Sequence, residues 1–167
     1  MYRLVIVDDE YEIRMGLSNY IPWDEMGFSV VGVFGDAASV LKYLETNQID
    51  VLLTDVRMPI MNGLELIQEV RSVSPSTICL ILSGYKDFEY AREGIALGVR
   101  HFIVKPTKYS QLSEIFSSLK KELDGVTVHR PERVATPVFN SQETLHQSLI
   151  IDAVKSYVEK NLMTANL

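Results

Sequence analysis

Short apolar runs alternate with amphipathic stretches along residues 1–124, and this alternation restricts the fold more than any other feature of the sequence. The runs lie at residues 4–7, 28–34, 50–54, 77–82 and 102–104. Their apolar character is continuous rather than alternating, which is typical of strands that are covered on both faces. Apolar residues between the runs recur at helical spacing, so each predicted strand is followed by a predicted helix.

This order of elements predicts one α/β domain at residues 1–124. Strands that are joined through helices lie parallel, with right-handed crossovers and with helices on both faces of the sheet. The expected architecture is therefore a doubly wound (βα)5 parallel sheet of flavodoxin-like type, with the strand order 2-1-3-4-5. In that order the first and third strands are neighbours where the winding reverses.

The character of the sequence changes after residue 124. Residues 125–142 contain Pro131 and Pro137 and show no stable period, so they are predicted to form a linker. Residues 143–167 regain an apolar stripe, which predicts a helix at about 143–162. Because a lone helix cannot bury such a stripe, we expect these residues to dock on the first domain, to pair with another copy of the chain, or to belong to a further domain whose remainder is missing.

Composition limits the functions and the location that suit this chain. The 22 acidic against 16 basic residues give a formal charge of -6, which disfavours general binding to nucleic acids or anionic membranes. The single cysteine, Cys79, excludes an internal disulfide framework and a zinc site of several cysteines. No apolar run approaches the roughly 20 residues that span a bilayer, and the N-terminus does not fit a signal peptide. We therefore expect a cytoplasmic protein without membrane attachment.

Acidic residues follow two strands that are neighbours in the predicted sheet. Asp8 and Asp9 come directly after the first strand, and Asp55 comes directly after the third. Ligands of such sheets bind at the carboxyl ends of the strands, near the point where the winding reverses. Three carboxylates that meet there repel one another, and a divalent cation relieves the repulsion. Oxygen ligands suit a hard ion, so the sequence predicts a Mg²⁺ site.

A hydroxyl and an ammonium are expected at the same edge of the sheet. Ser83 follows the fourth strand, and Lys105 follows the fifth and precedes Pro106. Beside a metal, these groups can bind a phosphoryl group, and a carboxylate can attack phosphorus to form an aspartyl phosphate. Asp55 is the candidate nucleophile because Asp8 and Asp9 are needed for the metal. Each residue alone has a simpler explanation as a helix cap, a turn residue or a solvated charge, but their coincidence at one edge argues against it.

Four motifs in this sequence resemble those of the receiver domains of two-component response regulators, and the resemblance covers about residues 1–124. The motifs are Val7-Asp8-Asp9-Glu10, Thr54-Asp55-Val56-Arg57-Met58-Pro59 with Asn62-Gly63, Ser83-Gly84-Tyr85, and Phe102-Ile103-Val104-Lys105-Pro106. The resemblance implies that Asp55 accepts a phosphoryl group from the phosphohistidine of a sensor histidine kinase. It also implies that Asp8, Asp9, Asp55 and the backbone carbonyl of Arg57 bind Mg²⁺.

The same resemblance implies a switch rather than an enzyme. Ser83 and Lys105 would contact the phosphoryl group, and Phe102 corresponds to the aromatic residue that turns inward when Ser83 moves. Phe102 stands where tyrosine is common in the family, so only the packing part of that switch is expected. Homodimerisation on phosphorylation and slow self-dephosphorylation are further expectations.

Two stretches resemble a particular subgroup of receiver domains. Residues 21–28 and 82–91 are similar to those of receivers that are joined to AraC-type DNA-binding domains, and residues 150–162 look like the first helix of such a domain. The resemblance implies a transcription regulator that binds DNA through a domain absent from this chain.

Three other functions are open on the sequence. A pseudo-receiver would signal without phosphorylation, although the complete set of site residues argues against it. A haloacid-dehalogenase-type phosphatase would need an Asp-x-Asp pattern after the first strand, and Glu10 stands where the second Asp of that pattern is required. A flavodoxin-like nucleotide binder would need a glycine- or hydroxyl-rich phosphate loop there, and this loop is acidic.

Overall fold

The computed structural model describes residues 1–84 and 88–126, without the side chains of residues 88, 89 and 126. The predicted helix at about 143–162, and all of the predicted linker except residues 125 and 126, lie outside the described residues. Within the described ranges, no helix is long and apolar enough to cross a membrane.

Five strands and five helices alternate along the described residues. In order they are β1 Tyr2–Val7, α1 Tyr11–Tyr20, β2 Phe28–Phe34, α2 Ala37–Leu44, β3 Val51–Asp55, α3 Gly63–Val73, β4 Ile78–Ser83, α4 Phe88–Ala96, β5 His101–Val104 and α5 Tyr109–Val126. All the strand pairs are parallel, and the order in the sheet is β2-β1-β3-β4-β5. The predicted flavodoxin-like fold is confirmed.

Alternate residues of the central strands supply the core on the two faces of the sheet. Leu4, Leu53 and Leu80 lie on the face that packs with Phe28 and with Phe116 of α5. Leu52 and Cys79 lie on the other face, with Val40 of α2 and Ile67 of α3. Both faces are therefore covered, which explains why the strands are apolar without alternation. Each such side chain contributes about 1.5–3 kcal/mol by its burial.

The helix starts differ in how they are capped. Asp36, the N-cap of α2, accepts a hydrogen bond from the amide of Ser39 at 2.8 Å. Asn62 and Glu65 form a capping box at the start of α3. Glu10 precedes α1 without a side-chain capping bond, so this helix start, which lies beside the acidic residues, depends on other contacts.

Candidate functional site

The carboxyl ends of four strands bring four of the predicted site residues to one edge of the sheet. Asp8 comes directly after β1, Asp55 and Ser83 are the last residues of β3 and β4, and Lys105 comes directly after β5. Asp8, Asp55 and Ser83 are buried. The amide of Lys105 donates to the carbonyl of Ser83 at 2.8 Å, which joins the ends of β4 and β5. We call this edge the acidic edge.

One ammonium serves two buried carboxylates at the acidic edge. Lys105 Nζ lies 2.6 Å from Asp55 Oδ1 and 2.7 Å from Asp8 Oδ2. The exposed carboxylate of Glu10 lies 3.5 Å from the same nitrogen. The peptide bond between Lys105 and Pro106 is cis. Because a single positive charge faces three negative ones, the acidic edge keeps a negative balance that attracts cations.

Burial shifts the pKa values of the three central groups. Desolvation raises the pKa of the Asp8 and Asp55 carboxyls above their usual range, and Lys105 offsets that effect only in part. For Lys105, desolvation opposes the charge, but the two carboxylates outweigh it and raise the pKa of the ammonium. The carboxylates therefore carry a cost of desolvation that a further positive charge would reduce.

Backbone amides orient both carboxylates. Asp8 Oδ1 accepts a hydrogen bond from the amide of Glu10 at 2.9 Å, and Asp55 Oδ2 accepts one from the amide of Arg57 at 2.7 Å. The other oxygen of Asp8, Oδ2, is buried and accepts no well-angled hydrogen bond from the described residues, although it lies close to the Lys105 ammonium. Each carboxylate thus has one oxygen fixed by the backbone and one directed to Lys105.

Asp8 and Asp55 have the character of a site for a hard cation. Two buried carboxylates that share a single ammonium fit Mg²⁺, which takes one or two protein carboxylates and completes its coordination with water. The side chain of Asp9 is exposed. Across the described residues, no three His, Cys, Asp or Glu side chains gather closely enough to hold a metal. The roles of Asp9 and of the Arg57 carbonyl stay predictions.

Phe102 packs against helix α4. A Cβ atom added at Gly94 would lie 2.2 Å from Cζ of the Phe102 ring. The ring therefore occupies space that is open only because residue 94 is a glycine. Phe102 is half-buried and adjoins the apolar cluster that includes Tyr90. Arg57 lies over the ring of Tyr90, with its Cζ 6.0 Å from the ring centroid, so the loop after Asp55 contacts α4 as well.

The sequence motifs include Gly63, but they do not reveal Arg14. Gly63 lies at the start of α3 against the backbone of Asp55, where an added Cβ would lie 2.1 Å from the Asp55 carbonyl oxygen. Arg14 of α1 donates to the carbonyls of Asp8 and Asp9. A basic residue one helical turn into the element after an acidic loop is the signal that could have revealed Arg14.

Comparisons with known proteins show which family this chain belongs to. The family model "Response regulator receiver domain" matches residues 4–117. YesN of Bacillus subtilis, an uncharacterized transcriptional regulatory protein, is 32% identical over 157 residues, which cover 94% of this chain and 40% of YesN. The transcriptional regulatory protein HptR of Staphylococcus aureus is 36% identical over 123 residues, which cover 74% of this chain and 48% of HptR. The chain thus spans less than half the length of these relatives.

Solved structures of receiver domains share the fold. The receiver domain of AraT, a response regulator from Geobacillus stearothermophilus, superposes with a TM-score of 0.71 at 34% identity, over 75% of this chain and 98% of that one. A two component transcriptional regulator AraC from Clostridium phytofermentans gives a TM-score of 0.70 at 29% identity, over 77% of this chain and 100% of that one.

Proposed function

The chain belongs to the response regulator receiver domain family, and on this basis we propose that Asp55 accepts a phosphoryl group from the phosphohistidine of a sensor histidine kinase in a Mg²⁺-dependent reaction. The observation that carries the proposal is the pair of buried carboxylates, Asp8 and Asp55, that share the single ammonium of Lys105. Such an arrangement is costly for stability, and costly charge clusters mark functional sites.

In the transfer, a carboxylate oxygen of Asp55 forms the new O–P bond while the P–N bond of the donor breaks. The donor imidazole keeps the electron pair of that bond and takes up a proton. Asp8, with Asp9 and the Arg57 carbonyl, would hold Mg²⁺, which supplies positive charge to the phosphoryl oxygens when it is bound.

Two residues of the chain would stabilise the transferred group. The Lys105 ammonium pairs with a phosphoryl oxygen, and the Ser83 hydroxyl donates a hydrogen bond to another. Movement of Ser83 towards the phosphate would then let Phe102 repack. The chain acts as a phosphoacceptor that loses its phosphoryl group slowly, rather than as an enzyme.

The output of the switch is proposed from the relatives. YesN and HptR are transcriptional regulatory proteins, so this receiver would regulate transcription through an AraC-type DNA-binding domain outside the chain. Residues 1–124 would form the receiver, 125–142 the linker, and 143–167 the start of the next domain. We also propose that phosphorylation promotes homodimerisation and that the protein works in the cytoplasm.

Intact-mass measurement tests the proposal. The wild type is incubated with acetyl phosphate, with Mg²⁺ or with EDTA, beside Asp55→Asn and the control Asp50→Asn, which removes an acid at the opposite end of the sheet. We expect one phosphoryl adduct in the wild type and in Asp50→Asn with Mg²⁺, and none with EDTA or in Asp55→Asn. No adduct in the wild type would favour a pseudo-receiver. Sedimentation of the same samples would show whether phosphorylation causes dimerisation.

A further inference from the structure

The contacts of Arg14 with the acidic turn, residues 8–10, suggest a role for it in metal binding. We propose that Arg14 is a positioning residue, whose guanidinium fixes the backbone of the acidic turn so that Asp8 and Asp9 are presented to Mg²⁺. The inference rests on the proposed function, because it concerns the metal site of the same reaction.

The guanidinium joins the acidic turn from the helix side. Arg14 Nη1 donates to the carbonyl of Asp9 at 3.0 Å and to the carbonyl of Asp8 at 3.3 Å. A single side chain thus binds the backbone of both predicted metal ligands. Because a guanidinium is planar and rigid, it fixes the two carbonyls relative to each other better than a flexible ammonium could.

Neighbouring groups hold the guanidinium itself in place. The ring centroid of Tyr11 lies 4.9 Å from Arg14 Cζ, which is a cation–π contact. A Cβ added at Gly35, directly after β2, would lie 3.4 Å from the same atom. Arg14 therefore contacts Tyr11 and the acidic turn and lies beside the end of β2, so its surroundings restrict its position.

Backbone bonds hold the two ends of the acidic turn: the amide of Asp8 donates to the carbonyl of Phe34, and the amide of Arg14 donates to the carbonyl of Glu10, each at 3.1 Å. Glu10 provides no side-chain cap for α1, and the amide of Glu10 is held by Asp8 Oδ1. That bond uses a carboxylate that the metal would also use. Arg14 supports the turn through carbonyl oxygens instead, which leaves the carboxylate oxygens free for the cation.

A positioning role and a purely electrostatic role of Arg14 predict opposite changes in Mg²⁺ affinity when the side chain is removed. The guanidinium is positive, so its charge alone repels Mg²⁺, and the loss of that charge would tighten binding. Loss of the support would misplace the ligands, and outer-shell changes of this kind weaken metal binding about 10- to 100-fold. If Arg14 is a positioning residue, the second effect is larger than the first.

Calorimetric titration with MgCl₂ shows whether the loss of Arg14 weakens or tightens Mg²⁺ binding. The titration compares four folded proteins: the wild type, Arg14→Ala, Arg14→Lys and Arg71→Ala. Arg71 is the matched control, because it also donates to a backbone carbonyl, that of Gly98 at 2.6 Å, but before the start of β5 and away from the acidic edge. We expect about 10-fold weaker binding for Arg14→Ala and a partial loss for Arg14→Lys, with no change for Arg71→Ala. Equal or tighter binding by Arg14→Ala, or full rescue by Arg14→Lys, would overturn the inference.

A second readout needs no metal. Exchange of the Glu10 amide with solvent, followed by NMR in metal-free buffer, reports the order of the acidic turn. We expect faster exchange in Arg14→Ala and unchanged exchange in Arg71→Ala; unchanged exchange in Arg14→Ala would contradict the positioning role. If the wild type binds no Mg²⁺, the proposed function fails, while the exchange measurement still decides whether Arg14 orders the turn.

Discussion

Ion pairs at the two ends of the sheet are built in opposite ways. At the amino end, Arg3 and Asp50 match one to one: Arg3 Nη2 lies 3.0 Å from Asp50 Oδ1, and Nε lies 3.1 Å from Oδ2. The amide of Arg3 also donates to Oδ2 at 2.7 Å. Partial burial opposes the charge of Asp50, but these bonds outweigh it and lower the pKa of the carboxyl. At the acidic edge, Asp8 and Asp55 share Lys105 and have raised pKa values.

The difference separates a stabilising ion pair from a binding site. The carboxylate of Asp50 is paired within the chain by Arg3, and this pair links β1 to the segment before β3. Because its charge is compensated, Asp50 does not favour the binding of a further cation. At the acidic edge two buried carboxylates share one ammonium, so their charges are not fully compensated by it and a bound cation would reduce the cost of burying them. Substitutions at the two ends should therefore change the free energy of unfolding in opposite directions as well as by different amounts.

The largest effect is expected for Gly63→Ala. The added methyl group would collide with the Asp55 carbonyl, 2.1 Å from the new Cβ, and would push α3 away from the acidic edge. We expect a loss of about 3 kcal/mol in the free energy of unfolding, measured by urea denaturation with the buried Trp23 as the fluorophore. Gly16→Ala in α1 is the control, since no atom lies within 4 Å of its added Cβ, and it should stabilise by up to about 1 kcal/mol.

A smaller loss is expected for Gly94→Ala. The new Cβ would lie 2.2 Å from the Phe102 ring, but a side chain can move where a backbone carbonyl cannot. We expect a loss of about 1–2 kcal/mol from the same denaturation curves. The double variant Gly94→Ala/Phe102→Leu should lose less than the two single losses added together; simple additivity would show that the ring and the glycine are not coupled.

Asp50→Asn and Asp55→Asn should change stability in opposite directions. Asp50→Asn breaks a pair whose side chains are 42% and 28% exposed, so solvent screening limits the loss to about 1 kcal/mol. Asp55→Asn removes one of two carboxylates that compete for Lys105, so in metal-free buffer it should raise the free energy of unfolding. A loss of stability in Asp55→Asn would contradict the contrast between the two ends.

The pH dependence of the same pair of variants follows from the directions of the pKa shifts. The folded-state pKa of Asp50 is lowered from 3.8, so its contribution is present above that value and is lost as the pH falls through the folded pKa. The pKa of Asp55 is raised from 3.8, so its cost is present above the folded pKa and disappears as the pH falls through it. As the pH falls, the loss in the free energy of unfolding in Asp50→Asn and the gain in Asp55→Asn should therefore both become smaller. The gain in Asp55→Asn should diminish at the higher pH. Urea midpoints measured in metal-free buffer across the acidic range check this order.

The smallest effect is expected for Ile60→Gly, in the loop after Asp55. Ile60 is fully exposed and has a φ of 72°, in the left-handed region that β-branched residues avoid. Relief of that strain should stabilise the protein by about 0.5–1 kcal/mol. Ile95→Gly, in the last turn of α4, is the control and should destabilise by up to a similar amount; equal destabilisation by both substitutions would show that the Ile60 backbone is not strained.

Most of the fold could be predicted from the sequence because the strands are buried on both faces. Continuous apolar runs located every strand that the described residues contain. Strand ends were less predictable: Asp55 and Ser83 belong to β3 and β4, because their backbones still pair with Leu82 and Val104. Helix α5 also continues to Val126, past the predicted end at 124.

The part of the site that the sequence predicts is the part that the register of the parallel strands determines. Register alone brings Asp8, Asp55, Ser83 and Lys105 to one edge. It does not determine which of two adjacent acids turns inward, and the structure buries Asp8 while Asp9 is exposed. Arg14 was missed because its contacts run back from a helix onto the preceding turn, and helical periodicity carries no information on such a contact.

The central claim is that Asp55 accepts the phosphoryl group, and chemical identification of the phosphorylated residue tests it most directly. Borohydride reduces an acyl phosphate to the alcohol, so a phosphorylated aspartate becomes homoserine, which peptide mass mapping can assign to one position. We predict homoserine at position 55 alone, in wild-type protein treated with acetyl phosphate and Mg²⁺, and none when EDTA replaces Mg²⁺. Homoserine at position 8 or 9, or its formation without Mg²⁺, would contradict the account of the acidic edge.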